Sequence, residues 1–184
     1  MIRFFDILFS LFGLLVFSPI IVFLYIVGLF ETGSPIFFQE RIGRNKKPFI
    51  LIKFRTMEKS SKSVATHLMD KSSITKMGAF LRKSKLDELP QLFNVLLGSM
   101  SLVGPRPNLF NQLELISQRD KLNVYSVRPG ITGLAQIKEI DMSTPELLAK
   151  TDAIMIEKMS ITLYFAMILS TITGSGFGDR IKVN

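Results

Sequence analysis

The sequence predicts an α+β fold in which a long apolar helix leads into a small, basic, helix-rich body with a short β-hairpin. Three observations predict it. Residues 4–30 are apolar apart from Asp6, Ser10, Ser18 and small residues. Residues 1–30 carry one basic group, Arg3, and one acid, Asp6, whereas the rest of the chain holds 22 Lys+Arg and 14 Asp+Glu. Beyond the apolar segment, short strand-like runs at Ile36 and Phe49 give way to leucines at helical spacing from Leu86. The 184 residues fit one domain, or one small domain with an appendage. A hydrophobic content of 47% excludes an intrinsically disordered chain. The absence of Cys excludes a disulfide scaffold, a thiolate metal site and a Cys nucleophile. A single histidine, His67, argues against a His-ligated zinc centre or a Ser-His-Asp triad. A net charge of +8 and a pI of about 9.8 point to anionic partners: phosphate esters, an acidic membrane face or nucleic acid.

The apolar segment is long enough to cross a bilayer, which takes about 20 residues. It lacks the small-residue cleavage site of a signal peptide near Tyr25–Phe30. Pro19, after Ser18, withholds an amide from the Leu15 carbonyl and predicts a bend. Arg3 before the segment and Arg41, Arg44, Lys46 and Lys47 after it draw both ends toward the cytoplasm. Two readings follow: a Pro-kinked spanning helix, or a bent helix that dips into one leaflet and returns.

In the body, Ile36–Phe38 and Phe49–Met57 flank a polar turn, Gly43–Lys47, and predict a β-hairpin. Lys53 and Arg55 share one face of the second strand and project together near its end. Residues 58–77 are polar and Ser/Lys-rich and predict a surface loop containing His67, for which a bland role is the default. Leu86, Leu89, Leu92, Phe93, Leu96 and Leu97 predict one helix, with Ser84 as N-cap, Pro90 in the first turn and Gly98 as the stop. Asp87 and Glu88 then ride in that first turn, where the helix dipole keeps carboxylates ionised.

Gly104-Pro105-Arg106-Pro107 fixes the backbone on both sides of one arginine. Arg128-Pro129-Gly130 repeats the theme, and Gly133 permits close backbone approach by a ligand. Taken singly, each charge reads as a solvated surface group. Together, Lys53, Arg82, Arg106 and Arg128 beside an acid pair suggest a phosphate-handling cleft. The apolar run Met159–Thr173 is too short to span and reads as a core or interfacial helix. The Gly-rich stretch 174–180 reads as a loop, and no P-loop or dinucleotide fingerprint occurs.

Several motifs recur in the order found in one family: Ser18-Pro19, Lys53-Phe54-Arg55-Thr56-Met57, Leu86-Asp87-Glu88-Leu89-Pro90-Gln91-Leu92, Asn94-Val95-Leu96, Met100-Ser101, Gly104-Pro105-Arg106-Pro107 and Arg128-Pro129-Gly130-Ile131-Thr132-Gly133-Leu134-Ala135-Gln136. Through residue 136, and more loosely to 172, the chain resembles the small bacterial sugar transferases, monotopic phosphoglycosyl transferases. The resemblance implies a re-entrant membrane helix over 1–31, broken at Ser18-Pro19. It implies a catalytic domain over 32–184 that rests on the cytoplasmic leaflet of the bacterial inner membrane through amphipathic helices. It also implies transfer of a sugar-1-phosphate from a nucleotide sugar, usually a UDP-sugar, to polyprenol phosphate with Mg2+. That reaction would initiate a surface glycan such as O-antigen, capsule, exopolysaccharide or a glycoprotein glycan. Asp87 maps onto the family nucleophile and Glu88 onto its metal-linked partner. The expected set is therefore Asp87 and Glu88 as catalytic and metal-holding residues, with Lys53, Arg55, Arg82, Arg106, Arg128, Gly130 and Gln136 binding substrate. A homodimer is compatible with the sequence.

The chain departs from the family pattern twice. Ile140 stands where many relatives carry an arginine, with Lys138 or Asp141 as candidate replacements, and Tyr164 stands where an acid is common. These departures put sugar and nucleotide recognition in doubt, and they motivate a second reading as an inactive membrane-bound scaffold. A nucleic-acid binder is disfavoured by the oily N-terminus and the lack of aromatic platforms among the basic residues. A glycosidase is disfavoured because adjacent carboxylates on a helix point in different directions.

Overall fold

The computed structural model describes residues 1–59 and 73–173. His67 and the 174–180 stretch lie outside the described residues. The apolar segment forms one helix, α1 (Ile2–Thr32), ended by Gly33 in the left-handed conformation, φ 65°, with its amide on the Leu29 carbonyl. The helix assignment runs unbroken through Pro19. The Leu15 carbonyl, which Pro19 cannot serve, accepts a 2.8 Å hydrogen bond from Ser18 Oγ instead. The Ser-Pro pair thus carries its own repair.

Strands β1 (Ile36–Ile42) and β2 (Pro48–Phe54) pair antiparallel in the register Ile36↔Phe54 to Ile42↔Pro48. The hairpin is the one expected, turned through Arg44–Lys46 with Asn45 and Lys46 at positive φ. Helix α2 (Lys76–Ser84) starts earlier than the predicted surface loop allowed, with Thr75 Oγ1 accepting from the Gly78 amide at 2.9 Å.

The single helix expected after Ser84 is not formed. Lys85 adopts φ 57° and stops α2; Leu86–Glu88 make one 3-10 turn; and α3 (Gln91–Leu97) begins after Pro90 and ends at Gly98, φ 91°. Ser84 Oγ turns back to the Phe80 carbonyl at 2.9 Å and caps nothing downstream. The reason is local. Pro90 brings no amide to a continuing helix but suits a helix start, so the chain re-nucleates there.

Strands β3 (Ser101–Val103) and β4 (Gly130–Thr132) form a small parallel pair. Helices α4 (Leu113–Lys121), α5 (Leu134–Ile137), α6 (Pro145–Glu157) and α7 (Ile161–Ile172) complete the body. The main core gathers Leu51, Val95, Met100, Leu102, Val103, Met155, Tyr164 and Met167, with Ile2, Phe5 and Phe9 of α1 packed against it. A second cluster joins Leu24 and Ile21 of α1 to Phe54 and Leu81. The helix is therefore fastened to the body near both ends. Its outer face, including Leu11, Phe12, Leu15 and Phe23, stays exposed. Helix α7 contributes Tyr164 and Met167 to the core, as the core reading expected, while Leu169 and Ile172 remain exposed.

Gly130 and Gly104 cross without room for a side chain. A Cβ on Gly130 would fall 2.0 Å from the Gly104 amide nitrogen. The crossing lets Gly130 N reach Pro105 O at 2.9 Å and Gly104 N reach Thr132 O at 2.8 Å. Gly130→Ala forces these backbones apart, with an expected stability loss of about 3 kcal/mol. Thermal unfolding of the detergent-solubilised variant checks this, and an unchanged midpoint would contradict it.

Candidate active site

The dyad sits between the 3-10 turn and the end of the hairpin. Asn94 of α3 sets that distance: its side-chain oxygen accepts from Ile52 N at 2.9 Å and its amide donates to Ile50 O at 2.7 Å. Reading both polar groups of the β2 edge, Asn94 locks α3 against the strand and brings Lys53, the next residue, toward Asp87. Arg82 arrives from α2, steadied by a 2.8 Å bond from its Nε to Thr56 Oγ1. Gly78 permits that packing, since a Cβ there would meet the Thr56 carbonyl oxygen at 2.1 Å. Arg106 arrives from the proline-flanked turn, and its Nη2 lies 3.2 Å from Glu88 Oε1.

Asp87 is buried and Glu88 half-buried. The expectation that Asp87 stays ionised by riding in a helix's first turn is corrected. Burial, then the Glu88 charge beside it, push the Asp87 carboxyl up to about 7, against the pull of Lys53, Arg82 and Arg106. Lys53 is lowered to about 8 by burial, with Asp87 opposing and Arg41, Arg82 and Arg106 adding to the shift. Three cations from three separate elements thus act on one carboxylate, as the sequence suggested.

The other expected substrate contacts are placed elsewhere. Arg128 donates from Nε to the Gly98 carbonyl at 2.8 Å, at the far end of α3 from the dyad. It caps a helix end, and it is absent from the charges acting on Asp87. Arg55 donates from Nε to Ser34 O at 2.8 Å and lies 5.3 Å from the Phe37 ring centroid, closing the joint between α1 and β1. Lys53 flanks the same ring at 5.4 Å, so the pair does project together, but to different ends. Gly130 is filled by the Gly104 backbone and offers no ligand approach; at Gly133 a Cβ would likewise meet Gly104 O at 2.5 Å. Both polar atoms of the Gln136 amide are buried without a hydrogen-bond partner.

Sequence reasoning missed the supports of the Arg106 turn. Buried Arg41 donates to Pro107 O at 3.0 Å. Arg119, 1% exposed, donates to Arg106 O at 2.8 Å and pairs with Asp152 at 2.7 Å. Nothing in their local sequence sets these arginines apart from surface charge. The departures also acquire places. Ile140 packs with Leu115, Ala135 and Leu148, and its amide reaches Ala135 O at 2.9 Å behind Glu139 at φ 58°. Asp141 is occupied by Ser143, whose amide it accepts at 2.8 Å. Tyr164 is fully buried, and its hydroxyl donates to Asp6 Oδ1 at 2.9 Å.

Among the described residues no group of three or more His, Cys, Asp or Glu gathers as a metal cage. Mg2+ needs less than a cage: one or two carboxylates plus substrate phosphate oxygens suffice. Asp87 and Glu88 are such a hard oxygen pair. Their mutual repulsion, visible in the raised Asp87, is what a divalent cation would relieve.

The bacterial sugar transferase family profile matches residues 1–177. The chain belongs to that family. It is 46% identical over 136 residues to the uncharacterized sugar transferase EpsL of Bacillus subtilis, covering 73% of this chain and 67% of that protein. It is 37% identical over 163 residues to the undecaprenyl-phosphate galactose phosphotransferase of Salmonella typhimurium, covering 77% and 34% respectively. It is 32% identical over 185 residues to the UDP-N-acetylgalactosamine-undecaprenyl-phosphate N-acetylgalactosaminephosphotransferase of Aeromonas hydrophila, covering 95% and 44%. The chain thus spans between about a third and two thirds of the length of these curated relatives.

The buried dyad has a pH signature. Unfolded Asp87 releases its proton near 3.8 and folded Asp87 near 7. Between those values the native state holds a proton the unfolded chain has lost, so stability falls as pH rises through that window. In chelator-treated protein, Asp87→Asn raises the unfolding midpoint over wild type, and by more at about pH 7.5 than at about pH 5. Paired thermal melts at the two pH values check it; a gain that is larger at the lower pH would contradict the burial argument.

Proposed function

We propose that this chain is a phosphoglycosyl transferase that moves a sugar-1-phosphate from a UDP-sugar to polyprenol phosphate through a phosphosugar ester on Asp87. The observation that carries this reading is the buried Asp87 beside a Glu88 held 3.2 Å from Arg106, with Lys53 and Arg82 acting on the same carboxylate. Family membership and the names of the Salmonella and Aeromonas relatives support the substrate classes.

In the first step an Asp87 oxygen attacks the phosphorus that bears the sugar. A P–O bond to Asp87 forms, the bond to the bridging diphosphate oxygen breaks, and its electron pair leaves with UMP. In the second step a polyprenol phosphate oxygen attacks the same phosphorus and returns the carboxylate to Asp87. Both are displacements of an anion by an anion, so fixed positive charge is the main requirement. Arg106 and Arg82 hold phosphoryl oxygens, and Lys53 steadies the attacking carboxylate. When bound at Glu88 and Asp87, Mg2+ supplies further neutralisation of the diphosphate.

The attachment of α1 at both ends supports the dip-and-return reading. Arg3 and Asp6 bond to the body at one end, and Leu24 packs against Phe54 and Leu81 of the same body at the other. A helix crossing the bilayer would carry one of those ends to the opposite side. The exposed apolar face of α1, with Phe93 and Leu97 of α3 and Leu169 and Ile172 of α7, forms the lipid-contacting surface on the cytoplasmic leaflet.

Purified chain incubated with a panel of UDP-sugars releases UMP with one of them. Asp87→Asn lowers that release by about a thousand-fold or more and abolishes the phosphosugar adduct on the peptide around Leu86–Pro90. Normal release with no adduct would exclude the ester, and no release from wild type would favour the inactive scaffold. Cysteines placed at Ile2 and at Lys47 react with an impermeant reagent from the same face of the membrane. Reaction from opposite faces would establish a spanning helix.

A further inference from the structure

The head of the membrane helix carries two charged residues that membrane insertion does not need. Asp6 is 2% exposed. Its Oδ1 accepts from Ser101 Oγ, Leu102 N and Tyr164 Oη, each at 2.9 Å, and Arg3 Nη1 lies 3.9 Å from its Oδ2. The Arg3 guanidinium in turn donates to Val95 O at 2.7 Å and Leu96 O at 3.0 Å. These are last-turn carbonyls of α3, where a cation is favoured both as a donor and by the helix dipole. Burying a carboxylate is costly unless it is paired and bonded, and Asp6 is both, with the part-exposed Arg3 guanidinium beside it.

What they hold is one corner of the chain, from the end of α3 through 98–100 into β3. The two arms of that corner lead to the two halves of the site. Asp87 and Glu88 precede α3, and Arg106 follows β3 by three residues. The 3.2 Å contact between Glu88 and Arg106 closes the figure. Arg128 grips the same corner from the other side at Gly98 O. The arms are short. Seven residues of α3 span about 10 Å, so tilting the helix by about 6° at the corner moves the dyad by about 1 Å relative to Arg106. A displacement of that size is enough to cost a large factor in rate.

We propose that Arg3 and Asp6, with Tyr164 behind them, are positioning residues for the reaction. They set the placement of the Asp87–Glu88 pair against Arg106 by clamping the α3–β3 corner, so the first two turns of the membrane helix form part of the active-site scaffold. The proposal rests on the transferase reading above. It assigns a role to the Tyr164 departure as well: the hydroxyl completes the Asp6 bonds rather than serving the substrate.

The test uses the full chain in detergent or nanodiscs, with UMP release as the readout. Arg3→Ala lowers kcat about tenfold while KM for the UDP-sugar stays within about twofold, because the groups that touch the donor are retained. Arg3→Lys recovers part of the loss, since one ammonium serves one carbonyl where the guanidinium serves two. The distinguishing measurement is a double-mutant cycle: in an Arg106→Ala background the further loss from Arg3→Ala shrinks to about twofold, because the geometry it protects is already gone. Should Arg3→Ala not accumulate as folded protein, Tyr164→Phe removes one hydroxyl at constant ring volume and is expected to lower kcat about threefold with the same non-additivity. Losses that multiply in the double variants, or wild-type kcat in Arg3→Ala and Tyr164→Phe, overturn the positioning role. A wild-type chain that releases no UMP overturns the activity beneath it, a result separable from both.

Discussion

A carboxylate buried beside a second carboxylate is held in place against two penalties, lost hydration and like-charge repulsion, and Asp87 bears both. Buried there without compensating positive charge, it would keep its proton. The surrounding architecture is a device for delivering compensating charge to that point without letting solvent in. Lys53 comes along a strand, Arg82 from the end of a helix, Arg106 from a proline-locked turn. No two share an element, so the charge at the site depends on tertiary packing rather than on any local run of basic residues. The cost is shared by Lys53, whose own burial lowers it to about 8.

The Arg106 turn shows how that delivery is made rigid. Prolines at 105 and 107 remove backbone freedom, but they also remove two amides that a turn would otherwise use. The carbonyls take over as anchoring points: Pro105 O accepts from Gly130, Arg106 O from Arg119, and Pro107 O from Arg41. Arg119 is held by Asp152 with almost no exposure, and removing one member of such a pair costs about 3–5 kcal/mol by leaving the other charge unpaired. The buried arginines therefore do structural work one layer behind the cations that face the site.

The legible parts of the fold were those governed by local rules. The hairpin follows from alternating apolar residues around a polar turn, and the long first helix follows from an apolar run interrupted by few charges. The dyad, Lys53 and Arg106 stood out because several long motifs occur together, and Arg82 because it is a basic neighbour of the acid pair in sequence. The helix start at Asp87 was misread because Ser84 and Pro90 both carry capping signals, and periodicity cannot say which of them prevails. Lys85 in the left-handed conformation decides it, and nothing in a lysine announces that. Arg55 and Arg128 illustrate the complementary limit. A guanidinium at an element end looks the same in sequence whether or not a backbone carbonyl holds it, and the carbonyls of Ser34 and Gly98 arrive from elsewhere in the chain. The bracing role of Arg41 and Arg119 was hidden for the same reason, and Asn94, although part of a recurring motif, gave no sign of the strand edge it holds.

The positions at which the chain leaves the family pattern are absorbed by packing rather than left as holes in the site. At the end of α5, Glu139 takes the left-handed conformation that favours glycine, and the Ile140 amide closes back on Ala135. An apolar residue after such a stop packs onto the helix it ends, and Ile140 does so among Leu115, Ala135 and Leu148. Ile140 thereby adds an apolar contact to the joint between α4, α5 and α6. Lys53 and Arg82 reach Asp87 through the hairpin and α2, whereas the 104–107 turn that carries Arg106 leans on the same pair of helices through Arg119 of α4 and its partner Asp152 of α6. The residue at 140 therefore bears on the Arg106 arm of the site through α4 and α6, and leaves the Lys53 and Arg82 arms, which come from the hairpin and α2, outside its reach.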